Sequence, residues 1–131
     1  MSIDNVKPIT LQELFNIGWK HFVLDNAPLS VNDNGECMYR GKNGAKCFIG
    51  LVISDEMAKK YEEVSAETIC RDNPSLFDEN SISPEILGNA QYSLHDVFAL
   101  YDGDEDTKEY REEAYRDFAV RYNLTIPNAK K

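Results

Sequence analysis

No apolar run in this chain approaches the roughly 20 residues that a helix needs to cross a membrane. Basic side chains are scarce. Fourteen Lys and Arg stand against 23 Asp and Glu, for a formal net charge of −9. Binding to a nucleic-acid backbone needs a basic face, so DNA and RNA are poor partners for this chain, as is an anionic membrane. Cysteines number three, an odd and widely spaced set. That does not suit a secreted disulfide scaffold, and the expectation is reduced thiols in the cytoplasm. The opening MSIDNVKPIT has no basic patch followed by an apolar stretch, so no secretory signal is read. Internal repeats, low-complexity tracts, a Walker loop and a dinucleotide fingerprint are all missing. GKNG at 41–44 reads only as a turn.

What is present suits a packed interior. Of 131 residues, 42% are hydrophobic and 11% aromatic. That length fits one domain over 1–131, frayed at about 1–8 and 125–131. The expected class is α+β, with about four helices packed around one short antiparallel β-hairpin.

The helices follow from caps and spacing. Thr10 and Glu13 form a capping box, and Leu11, Leu14, Phe15, Trp19, Phe22 and Val23 recur at helical spacing, predicting a helix over 11–24. Gly18 is a mild flaw in it, and a place for close approach. Residues 25–36, DNAPLSVNDNGE, read as a turn-rich surface loop. Ser54 caps a short helix over 55–64, with Asp55 and Glu56 in its first turn. Over 65–82, SAETICR leaves room for a further helical turn, and DNPSLFDEN, punctuated by Pro74, reads as loop. Ser83-Pro84-Glu85 restarts a helix that carries Leu87, Ala90, Leu94, Val97 and Phe98 to about residue 101. A last helix spans about 107–123.

The hairpin is expected over 37–53. It has the apolar run KCFIGLVI on one side and Asn43-Gly44, the strongest two-residue signal for a type I′ turn, at its tip. With that turn, Arg40 faces Cys47, and Cys37 and Cys47 point to opposite faces. A three-residue loop instead sets Tyr39 opposite Cys47 and brings Cys37 onto the same face. The sequence leaves both registers open.

Several residue sets carry chemistry. Cys37, Cys47 and His95, with Cys70 and His21, supply the donor types zinc takes, but the close cysteine pairs of zinc sites are absent. A cysteine with His95 and Asp96 has the residue types of a thiol nucleophile, its base and an orienting group. Asp102, Asp104, Asp106 and Glu113 follow calcium-loop spacing, yet Thr107 stands where that loop needs glycine. Arg40, Lys42 and Lys46 form a small basic group that suits a phosphate or carboxylate. The binding candidates are therefore Arg40, Lys46, His95 and Asp96. No cofactor is expected.

The central stretch also resembles a motif of small uncharacterised proteins from tailed phages and prophages. The motif runs C-x-Y-R, a glycine turn, then K-C-x-I-G-x-x-I-x-D-E. It falls here on Cys37, Tyr39, Arg40, Gly44, Lys46, Cys47, Ile49, Gly50, Ile53, Asp55 and Glu56. His95-Asp96 is similar to a His-Asp pair on a later helix of those relatives. Many of them have Leu-Ile-Pro-Asp where this chain has Val52-Ile53-Ser54-Asp55. The resemblance implies a phage or prophage origin and an intracellular setting, but no reaction.

Two functions are expected from these readings. The first is a non-enzymatic, acidic, cytoplasmic accessory protein that binds a macromolecular partner, a protein whose basic surface suits this chain's negative charge, with inhibition of a host defence system as one form of that binding. The second is a small-molecule or metal-binding domain, enzymatic or not, centred on the hairpin and His95-Asp96. An exposed aromatic or acidic patch without an enclosed polar pocket would favour the first. Convergence of Arg40 or the cysteines with His95 around a cavity would favour the second.

Overall fold

The computed structural model describes residues 8–34, 36–101 and 108–127. Helix α1, Leu11–Gly18, begins at the predicted box: Thr10 Oγ1 accepts the Glu13 N–H, and Glu13 Oε1 accepts the Thr10 N–H at 3.0 Å. Two of the orphan donors at a helix start are met in this way. The chain runs on into a π-helical turn, Trp19–Leu24. Helices α2 (Asp55–Lys60), α3 (Ala66–Asp72), α4 (Pro84–Leu94) and α5 (Lys108–Tyr122) follow. Ser54, Ser65 and Ser83 cap the first three of these, each accepting a backbone N–H three residues on.

The described residues contain no β-strand, so the expected α+β class with a β-hairpin is wrong. The pairing consists of three isolated bridges, Ile9 with Phe77, Val31 with Cys37, and Arg40 with Lys46. At the tip Asn43 and Gly44 do take the positive φ read for them, 58° and 80°, and the Ala45 N–H donates to the Lys42 carbonyl. A second bond, from the Gly41 N–H to the Ala45 carbonyl at 2.8 Å, sets the register. Arg40 therefore pairs with Lys46, which is the three-residue-loop alternative. Beyond Lys46 the chain coils into a 3-10 turn, Ile49–Leu51, instead of extending.

The physical reason lies in burial. Cys47, Phe48, Ile49 and Gly50 are all buried. A strand sends successive side chains to opposite faces, so four in a row need cover on both sides. A tight turn directs them around one centre instead. An unbroken apolar run does not separate these cases by periodicity.

Other boundaries moved for local reasons. The helix expected to reach 64 stops at Lys60, with Glu63 at φ 66°. SAETICR, read as room for a further helical turn, forms the separate helix α3, and the stretch after it carries no helix up to Pro84. The helix expected to reach residue 101 breaks at His95 (φ −151°, ψ −61°) and resumes as a 3-10 segment, Asp96–Tyr101.

One cluster of buried side chains joins the elements. Phe15, Phe22, Phe48, Phe98 and Tyr115 are fully enclosed at its centre. Phe15 stacks near-parallel on Phe118 at 6.3 Å, and Tyr115 donates to the Leu94 carbonyl at the end of α4. At the other end of the described chain, the Thr125 N–H donates to Gln12 Oε1.

Gly18 is where α1 admits a neighbour, though a ring rather than a backbone. A Cβ there would lie 2.4 Å from the buried Phe48 ring and 2.9 Å from the Tyr115 hydroxyl. Alanine would gain about 1 kcal/mol of helix propensity, but overpacking a closed core costs about 1–3 kcal/mol. Gly18→Ala is expected to lower stability by roughly 1–2 kcal/mol in urea denaturation. A gain in stability would show that Phe48 can move aside.

Candidate functional site

Ser30 and His95 fix the site from below. Ser30 lies in the stretch expected to be a surface loop, yet it is fully buried. Its hydroxyl donates to the Met38 carbonyl at 2.6 Å, its carbonyl accepts the Met38 N–H, and its own N–H donates to His95 Nε2 at 3.0 Å. Gly41 allows this approach, because a Cβ there would meet Ser30 Oγ at 2.7 Å.

A backbone N–H can only donate, so His95 Nε2 must accept and the ring proton sits on Nδ1. Nδ1 then donates to Asp96 Oδ1 at 2.9 Å. Gln91 Nε2 donates to the same oxygen at 2.7 Å, and Gln91 Oε1 accepts the Ile49 N–H at 2.9 Å. The Cys37 thiol sits beside this network, its sulfur within 4.8 Å of the nearest ligand-type atoms of His95 and Asp96. Backbone, imidazole, amide and carboxylate thus form one satisfied network joining four parts of the chain. This network accounts for the break in the long helix at His95.

Above Asp96 opens a cleft of about 490 Å3, lined by Cys37, Tyr39, Cys47, Val64, Glu67 and Asn89 among others. Both cysteines face it, as the Arg40–Lys46 register requires. They are free thiols, and burial is the main force on each. It holds Cys37 far above the usual thiol range, helped by the nearby Asp96 charge. It pushes Cys47 up to about 12, against opposing hydrogen bonds from Gly50 and Gln91.

These shifts have a pH consequence. A thiol protonated longer in the folded chain than in the unfolded one stabilises the fold fully below the unfolded value, near 8.5. That stability drains away as pH rises toward the folded value. Stability is therefore expected to fall above about pH 8.5, by about 1.4 kcal/mol per pH unit for each thiol. Urea denaturation at pH 8, 9 and 10 checks this, and Cys47→Ala should make the decline shallower. Equal slopes in the two proteins would mean that Cys47 ionises freely in the native state.

The four binding candidates divide. His95 and Asp96 come together with Cys37: their donor atoms lie within 4.8 Å of one another, the one such group of metal-ligand type among the described residues. Arg40 and Lys46 are absent from the cleft lining. Arg40 instead spends most of its donors on the protein itself. Its Nη1 donates to the Tyr39 and Gly50 carbonyls at 3.1 and 2.9 Å, and its Nη2 to the Ile53 carbonyl at 3.0 Å. Its Nε donates to Asp55 Oδ1 at 2.8 Å. Four of its five N–H donors are thus spent on the protein itself, which leaves one on Nη2 for the phosphate or carboxylate role expected of it. Much of the sequence motif is this clamp: Tyr39, Arg40, Gly50, Ile53 and Asp55 hold one another.

The zinc set does not fit. Cys70 and His21 sit on α3 and the π turn, outside the group of three. A metal on His95 Nδ1 would move the ring proton to Nε2, where it would confront the Ser30 N–H. A thiol–imidazole couple is disfavoured by the same bonds, since His95 has no free nitrogen to take the Cys37 proton. Of the calcium set, Asp102, Asp104 and Asp106 lie outside the described residues, and Glu113 is exposed on α5.

Sequence reasoning missed Ser30, Gln91 and Tyr39 as site residues. Gln91 had one available signal, a polar side chain on the buried face between Leu87 and Leu94. Comparison of the chain with family models, with curated proteins and with solved structures finds no match in any of the three.

Proposed function

We propose that this protein is a ligand-binding domain whose site is the cleft over Asp96. One observation carries the reading: Cys37 and Cys47 converge with the His95-supported Asp96 on a single cavity. Its volume of about 490 Å3 falls within the roughly 300–1,000 Å3 usual for small-molecule sites. The lining supports binding over nucleophilic catalysis, because the thiols are held protonated and the imidazole is committed on both nitrogens.

The test is a fragment screen followed by two-dimensional amide NMR. Binders should shift the amides of Cys37, Tyr39, Cys47, Gln91 and Asp96 as a group. Shifts scattered over the surface, or none there, would remove the reading.

A second reading keeps the chain as a phage-type cytoplasmic accessory protein that binds a basic macromolecular partner and blocks a host defence system. The net charge of −9 and the exposure of Tyr92 and Val120 (52% and 83%) support it. No helix among the described residues is long and apolar enough to cross a membrane. Affinity capture from host lysate tests this reading. Retention of one partner that Tyr92→Ser and Val120→Ser release would support it, and retention unaffected by both would count against this surface.

A further inference from the structure

The chemistry of the cleft narrows its ligand. Resting on the reading of the cleft as a ligand site, we infer that it takes an organic cation, an ammonium or guanidinium group on an apolar stem. Three features of the lining point there.

First, Asp96 is a built carboxylate, not one of a surface cluster. His95 and Gln91 both donate to Oδ1, and 29% of the side chain remains open. Its orientation is therefore set before any ligand arrives, which removes an ordering cost from binding. Second, its charge lacks a cationic counterpart in the cleft. His95 is neutral in this bonding pattern, and the described residues lining the cavity include no Lys or Arg. A partly buried carboxylate without a counter-charge is a standing electrostatic cost that a bound cation would relieve. Glu67 and Glu63, also in the lining, add charge of the same sign. Third, the rest of the wall is uncharged and soft. Cys37 and Cys47 stay protonated, and Met38, Tyr39, Val64 and Ala66 complete it. Sulfur and aromatic surfaces suit an alkyl stem, and a ring face also attracts a cation. An anionic ligand would meet three carboxylates and no positive group.

The probes are hexylammonium and its uncharged counterpart 1-hexanol, each titrated into the full chain and followed by amide NMR. Hexylammonium should saturate with shifts at Asp96, Gln91 and Cys37, and 1-hexanol should bind at least tenfold more weakly. Asp96→Asn should weaken hexylammonium at least tenfold and leave 1-hexanol unchanged. Because Asp96 also holds His95 and Gln91, that variant needs a native-like spectrum to count. Glu67→Gln, outside that network, provides a second reading and should weaken hexylammonium several-fold.

Nα-acetyl-lysine N-methylamide forms a separate arm. Tighter binding than hexylammonium would place the cation on a protein lysine, and weaker binding would make it a free amine. Either order supports the cationic class. Equal affinity for hexylammonium and 1-hexanol would overturn that class while leaving the cleft as a ligand site. If neither these probes nor any neutral fragment shifted the lining amides, the underlying reading would fall with it.

Discussion

Arg40→Ala is expected to remove about 3–4 kcal/mol of folding stability, read as a shift in the urea midpoint with little change in slope. The guanidinium ties three carbonyls, those of Tyr39, Gly50 and Ile53, from both sides of the turn that follows Lys46. Hydrogen bonds from a charged donor contribute about 1.5–3 kcal/mol each when buried. Here the side chain is 25% exposed, so water would meet part of that need in the variant, and the sum is discounted. The Asp55 ion pair adds little, since that carboxylate is 90% exposed and surface pairs contribute about 0–1 kcal/mol. Asp55→Ala should therefore fall well short of Arg40→Ala. Arg40→Lys should not rescue, because one ammonium cannot span three carbonyls set in a fork. Since domains of this size hold only about 5–15 kcal/mol, the variant should also melt many degrees lower. A loss under about 1 kcal/mol, or rescue by lysine, would mean that packing alone holds this turn. Gly50 belongs to the same device: a Cβ there would lie 2.5 Å from the Tyr39 carbonyl oxygen, which is backbone and cannot step aside.

The elements that announced themselves in the sequence are those whose cause is local. The Thr10–Glu13 box, the Ser54 cap and the Ser83-Pro84 start are all satisfied within a few residues, and each forms where its sequence places it. The last helix, expected over 107–123, is Lys108–Tyr122. The Asn43-Gly44 turn is equally local and also forms. What failed is what the turn was taken to imply. Whether strands follow a turn depends on what covers the flanking residues, and Phe48 is buried against Gly18, thirty residues earlier. No window around KCFIGLVI contains that information. The site was legible in the same uneven way. Cys37, His95 and Asp96 were singled out by residue type and do meet, with Cys47 on the same cleft. Arg40 was singled out too, and four of its five donors hold carbonyls and a carboxylate brought to it by the coil of a chain expected to be extended. Ser30 was invisible. A serine in DNAPLSVNDNGE looks like loop polarity, and only the return of Met38 and His95 from distant sequence makes it a hub. The π turn over Trp19–Leu24 likewise has no signature in the apolar spacing, which fits an ordinary helix equally well.

Arg111 on α5 carries the other large expected effect. A residue two places after Glu109 on a charged helix reads as solvent-facing, yet it is 5% exposed. Its Nη1 donates to the carbonyls of Phe22 and Ala27 at 3.1 and 2.8 Å, where the π turn ends. The last carbonyls of a helix, Phe22 among them, lack partners within it, and Ala27 lies in the chain just beyond the turn. The guanidinium plane also lies over the Phe22 and Phe98 rings, at 6.0 and 5.7 Å, where a cation meets the negative ring face. Arg111→Ala removes the donor, leaves two carbonyls short and opens a cavity between three elements. The expected loss is about 3–5 kcal/mol, the range for breaking a buried charged contact. Arg111→Met separates the causes: it refills most of the volume without the donors, so it should recover about 1 kcal/mol and no more. Full recovery by methionine would assign Arg111 to packing alone. Because Phe22 also meets His95 edge to face at 5.3 Å, loss of this anchor should reach the cleft. Hydrogen exchange should show the Ser30 amide opening faster in Arg111→Ala than in the parent. An unchanged Ser30 rate would mean that the two ends of the core open independently.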